Sequence, residues 1–150
     1  MRRKGSALLI LTLTVTLIQL AGCGTRYALD KTSVTVPALR MTEAIVAKRG
    51  TRLEFEYAPE QARRVGVHPP GHAGAFILQS LDRKQTYKLT GVDGIALLPE
   101  RTTVEAGATL KFSLTFEPIP DDLWEFHVGE GEYDAAAGES SWQFLKVSLR

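Results

Sequence analysis

The sequence predicts an all-β fold, an antiparallel β-sandwich, and three observations carry that prediction. Runs of strict alternation recur along the chain. In "TRLEFEYA", Leu53, Phe55 and Tyr57 alternate with Arg52, Glu54 and Glu56. In "ATLKFSLTFEPI", Leu110, Phe112, Leu114 and Phe116 alternate with Lys111, Ser113 and Thr115. A period of two sends successive side chains to opposite faces of a strand, so such a run has one buried and one wet face. The second observation is that no segment after residue 22 sustains a helical period. The third is that turn-forming residues separate the β-prone runs, which gives about seven to nine short strands. Clean alternation favours antiparallel sheets over parallel sheets covered on both faces.

Taken in order, the elements begin with an export signal at residues 1–22. Arg2, Arg3 and Lys4 form a basic start, residues 7–20 an apolar run, and Ala21 and Gly22 a small-residue end before Cys23, the only cysteine in the chain. That order describes a secretory signal peptide. A membrane-spanning helix needs about 20 predominantly apolar residues. This run is shorter and is interrupted by Thr12, Thr14, Thr16 and Gln19.

Leu20-Ala21-Gly22-Cys23 resembles the lipobox of bacterial lipoproteins. The resemblance implies cleavage between Gly22 and Cys23, a diacylglycerol thioether on the Cys23 sulfur, and acylation of the new amino terminus. One acyl chain anchors only marginally, whereas two or three hold a protein in the bilayer. Gly24 stands where the family's inner-membrane retention signal has Asp. This implies anchoring in the outer membrane; that the domain faces the periplasm is an expectation which Gly24 does not decide. A lipidated Cys23 leaves no disulfide within the chain.

Residues 23–42 read mostly as a lipidated tether, with one β-prone piece at Ser33–Val36, ended by Pro37, that could form a first edge strand. The sandwich domain is expected over residues 43–150. "EAIVAK" and "TRLEFEYA" flank Arg49-Gly50 as a hairpin, "GAFILQS" and "QTYKLT" follow around Leu81–Lys84, and the two glycines of "GVDG" signal a turn. "ATLKFSLTFEPI", "LWEFHV" and "SWQFLKVSL" supply the last strands. The expected core is Leu53, Phe55, Tyr57, Phe76, Leu78, Leu110, Phe112, Leu114, Phe116, Phe126, Trp142 and Phe144.

Residues 74–149 resemble an immunoglobulin-like module of exported bacterial proteins, which often stands ahead of a thioredoxin-like domain. The matching positions are Tyr87 and Leu89; Gly91, Asp93, Gly94, Ile95 and Leu97; Phe112, Leu114, Phe116, Pro118 and Pro120; Phe126, Glu130 and Gly131; and Trp142 and Phe144. The resemblance implies an immunoglobulin-like sandwich and an exported setting. It brings no catalytic residues, and the chain has no Cys-x-x-Cys for a redox role.

Loss of residues 1–22 lowers the Lys and Arg count from 18 to 15 against 17 Asp and Glu, a net charge of about −2. That balance excludes the basic footprint of a nucleic-acid binder. His68-Pro-Pro-Gly-His72 has the four-residue spacing that places two zinc ligands on one helix face, but two prolines and a glycine forbid the helix. His68 and His72 could meet His127 only through a loop. Glu130, Glu132 and Asp134 alternate as in calcium loops, yet Ala135 stands where an EF-hand needs glycine. Trp124 and Trp142 are read as packing residues, and Asp121-Asp122 as a turn. No cofactor motif and no nucleophile with a base beside it is present in the sequence. The expectation is a non-catalytic envelope lipoprotein that contacts the membrane through Cys23 and other envelope proteins through its domain. The alternative is a periplasmic small-ligand or metal-binding lipoprotein using His68, His72 and His127.

Overall fold

The computed structural model describes residues 23–131 and 141–150, and within them the alternating runs form ten β-strands. These are β1 (Thr25–Thr32), β2 (Leu39–Ala47), β3 (Gly50–Tyr57), β4 (Arg63–Val65), β5 (Phe76–Ser80), β6 (Thr86–Asp93), β7 (Thr102–Val104), β8 (Leu110–Phe116), β9 (Glu125–Glu130) and β10 (Gln143–Ser148). The signal and Leu20–Gly22 of the lipobox lie outside the described residues, as do Glu132 and Asp134.

Eight strands form one antiparallel sheet in the order β1-β2-β3-β8-β6-β5-β9-β10. Strand β6 is where it folds over. Its first half pairs with β5 through Thr86, Tyr87 and Lys88, and its second half, from Leu89 to Asp93, pairs with β8 across a register shift at Leu89–Gly91. The result is a sandwich with β1-β2-β3-β8 in one layer and β5-β9-β10 in the other. The outer edges then approach and give it a nearly closed, barrel-like section. Val34 N–H donates to Gln143 O at 2.8 Å, and the buried Ser33 hydroxyl donates to the same oxygen, also at 2.8 Å. Strands β4 and β7 make a small second sheet beside the sandwich.

Aromatic rings fill the space between the layers. Phe55 of β3 stacks on Phe112 of β8, with centroids 5.1 Å apart and planes at 11°. Phe76 of β5 and Phe144 of β10 close on Phe55 from the opposite layer at 6.4 and 5.5 Å. Trp142 leans on Phe112, Phe76 and Tyr57 at one end of the cluster. Ten of the twelve expected core residues are buried; Leu110 and Trp142 are only half-buried. Both sit at strand ends, where water reaches one side of the ring or methyl groups.

The expected tether is corrected. Thr25–Thr32 is a full strand paired with β2 from Thr25↔Val46 to Thr32↔Arg40, so the folded domain begins at Thr25 and not at Glu43. Its polar composition, with five exposed positions, reflects an edge strand that buries only part of one face. Ser33–Val36, the β-prone piece of this segment, is instead a bend. Ser33 Oγ accepts the N–H groups of Thr35 and Val36, which turns the chain toward β2. The three-residue strands β4 and β7 carry too short a pattern to read. Gly129 and Glu130 belong to β9, so the first acid of the Glu130, Glu132 and Asp134 set stands in a strand.

Two stability predictions follow from this packing. Phe112→Ala should lower the unfolding free energy by about 3–5 kcal/mol, since it removes a buried ring stacked on another. A loss below about 1 kcal/mol in urea melts would contradict the ring's place in the core. Thr51 is fully buried between Val46 and Phe116, and its hydroxyl has no hydrogen-bond partner among the described residues. A buried unpaired hydroxyl costs about 1–3 kcal/mol, so the near-isosteric Thr51→Val should raise stability by about 1 kcal/mol. A decrease would mean that the hydroxyl is satisfied.

Candidate functional site

Strand direction gives the sandwich two poles. Antiparallel β2 and β3 place Ala47 and Gly50 at one end and Leu39 and Tyr57 at the other, about 25 Å away along eight residues of strand. Continuing the β1–β2 register from Thr25↔Val46 by two residues brings Cys23 level with Lys48, at the first pole. Trp142 packs on Tyr57 at the second.

A polar cleft of about 400 Å³ opens at the second pole, lined by Arg64, His68, Leu98, Arg101, Glu130 and Trp142. Strand β4 delivers Arg64, and the segment just before β7 delivers Arg101. Glu130 ends β9, where its Oε2 accepts the Trp142 N–H at 3.0 Å. Its carboxyl is pushed up to about 6 because burial disfavours the charged form more than this one hydrogen bond favours it. The site thus combines two exposed guanidinium groups with an acid whose charge changes near pH 6.

His68 and His72 are brought together as a stacked pair, with ring centroids 4.0 Å apart and planes within 3°. A turn supports them: His72 N–H donates to Pro69 O, and Ala75 N–H donates to His72 O. Gly74 is required by close approach, since a Cβ there would lie 2.8 Å from His68 Cδ2. Burial, and then repulsion from His72, hold the His68 imidazole below its usual range. Imidazole lone pairs lie in the ring plane, so two parallel rings cannot aim them at one ion between them. His72 Nδ1 is further engaged, accepting the Gly74 N–H at 2.9 Å.

His127 does not join them. Its Nδ1 accepts the Lys146 N–H at 3.1 Å, and burial followed by the charge of Arg83 lowers its pKa. No group of three His, Cys, Asp or Glu side chains among the described residues could hold a metal ion. Asp121-Asp122 forms the turn expected of it, closed by Leu123 N–H to Pro120 O at 3.0 Å.

At the first pole, Cys23 is exposed and borders two grooves. One, of about 730 Å³, is lined by Lys48, Arg49 and Arg52. The other, of about 460 Å³, runs past Tyr27, Ile119, Leu123 and Trp124. Gly24 meets β2 closely, for a Cβ there would lie 2.9 Å from Ile45 Cγ2 and 3.2 Å from Ala47 Cβ. Gly24 therefore has a packing role whatever its part in sorting.

The sequence pointed to Cys23 and to the His68/His72 pair. It did not point to Arg64 or Arg101, which lie far apart in the chain and meet only through β4–β7 pairing. Glu130 carried a faint signal, as an acid closing the apolar run "FHVGE". No protein family, curated protein or solved structure matches the chain.

A pH prediction follows from Glu130. Its folded-state pKa of about 6 exceeds the ordinary 4.5, so between those values the folded chain binds more protons than the unfolded one. Stability from this group is therefore greatest below about pH 4.5 and falls as pH rises through 6, by roughly 2 kcal/mol at most. Glu130→Gln should remove that part of the pH dependence, as read from the difference between the two proteins' urea melts from pH 4 to 7. Parallel profiles would show that Glu130 titrates normally.

Proposed function

We propose that the chain is a non-catalytic lipoprotein of the cell envelope, anchored in the outer membrane through Cys23, whose sandwich acts in the periplasm as a binding or assembly module. The observation that supports this best is polar separation. Cys23 stands at one pole, and the cleft of Arg64, His68, Arg101 and Glu130 opens at the other. A chain held by lipid at Cys23 would present that cleft away from the bilayer. The immunoglobulin-like character suggested by residues 74–149 belongs to the same reading.

The alternative, a periplasmic small-ligand or metal-binding lipoprotein, draws different support for its two halves. The two arginines lining the cleft suit a small anionic ligand, which they would hold more tightly when Glu130 is neutral. The stacked histidines give metal binding little support. Stoichiometric zinc or copper retained after dialysis, and lost in His68→Ala, would favour it instead.

The anchor is tested with Cys23→Ser. Serine cannot form the thioether, so lipid transfer and cleavage should both fail and leave the full-length precursor in the membrane fraction. The parent protein should begin at residue 23, carry a lipid-sized mass increment and resist extraction by high salt, since hydrocarbon burial holds it. A cleaved, soluble serine product would sink the lipoprotein reading.

A further inference from the structure

Cys23 lies against a basic hairpin tip, and that proximity has an orienting effect on any chain anchored there. The β2–β3 turn is Lys48-Arg49, both exposed, with Arg52 one step along β3. Arg52 is ion-paired with Glu54 at 2.6 Å. Lys48 and Arg49 make no ion pair among the described residues, and the only acid lining either groove at Cys23 is Asp121. The tip therefore carries net positive charge although the domain as a whole is slightly acidic.

The second observation is the missing spacer. One residue, Gly24, separates Cys23 from β1, and it is pressed against Ile45 and Ala47. A lipid on the Cys23 sulfur would be attached to the body of the sandwich and not to a free arm. The headgroup layer would then lie within reach of Lys48 and Arg49, inside the Debye length of about 8 Å at physiological salt. Tyr27 and Trp124 stand at the same pole, with rings 6.4 Å apart and Arg150 4.6 Å over the indole. Aromatic residues with a polar tip suit a surface that is apolar on one side and wet on the other.

We infer that the Lys48-Arg49 hairpin docks on anionic lipid headgroups of the bilayer that holds Cys23, and so stands the sandwich upright with its cleft outermost. The occupant is the phosphodiester surface of that membrane, recognised by charge. The inference rests on the lipoprotein reading.

The test uses the mature lipidated protein in vesicles of phosphatidylcholine alone or mixed with phosphatidylglycerol. Glu105→Cys supplies a fluorophore site in the exposed turn after β7, which Gly107 N–H to Pro59 O ties to the second pole. Energy transfer to an acceptor lipid reports the height of that pole. Transfer should be low in the anionic vesicles and rise in the neutral ones, at high salt, and in Lys48→Glu/Arg49→Glu. Transfer that is unchanged across all four conditions would overturn the docking while leaving the anchor intact. Protein whose mass lacks the lipid and which does not float with vesicles would overturn the anchor itself, and the docking with it. Circular dichroism of the charge-reversed variant distinguishes lost docking from lost fold, and Lys48→Arg should restore the low transfer that Lys48→Glu removes.

Discussion

The stacked pair Phe55 and Phe112 is the contact on which the rest of the structure depends. These rings are cross-strand neighbours on β3 and β8; Phe55 receives Phe76 and Phe144 from the opposite layer, and Phe112 receives Trp142. A sheet folded over at β6 has no covalent staple between its halves; apolar burial and ring packing hold it shut. Each such ring buries a large area, and offset aromatic pairs add to that gain. Because the register of β3 on β8 is unbroken from Thr51↔Phe116 to Tyr57↔Leu110, every alternate residue inherits its facing from this one pair.

Both poles follow from the same geometry. Strands that run end to end convert chain position into height, so Cys23 and the Lys48-Arg49 turn share one end while Tyr57, Trp142 and Glu130 share the other. At the far end Trp142 is half-buried and borders a cleft lined by polar side chains. There Glu130 is caught between a wet cleft and a dry wall. Its single backbone hydrogen bond does not offset the lost hydration, and its carboxyl holds a proton more readily than a free glutamate does.

At the Cys23 end, the absence of a spacer changes what an anchor would mean. A flexible arm decouples a domain from a surface, because the chain can sample many heights and tilts. A single glycine packed on β2 would couple the two, so that surface charge near the attachment point would act on orientation as well as on affinity. On the proposed reading Lys48 and Arg49 would act in this way, although exposed charges contribute little to fold stability.

The all-β class, the β2–β3 hairpin and most of the core were legible in the sequence, because period-two alternation is a local consequence of strand geometry. Leu53, Phe55 and Tyr57 announce their face without reference to any other strand. Strand β1 was not legible, because an edge strand buries few residues and its polar sequence reads as linker. Ser33 shows the same limit, since its burial depends on Gln143, more than a hundred residues away. The cleft was decided only by tertiary structure. Arg64, Arg101 and Glu130 meet through pairings of distant segments, and no local pattern encodes which distant segment will become a neighbour.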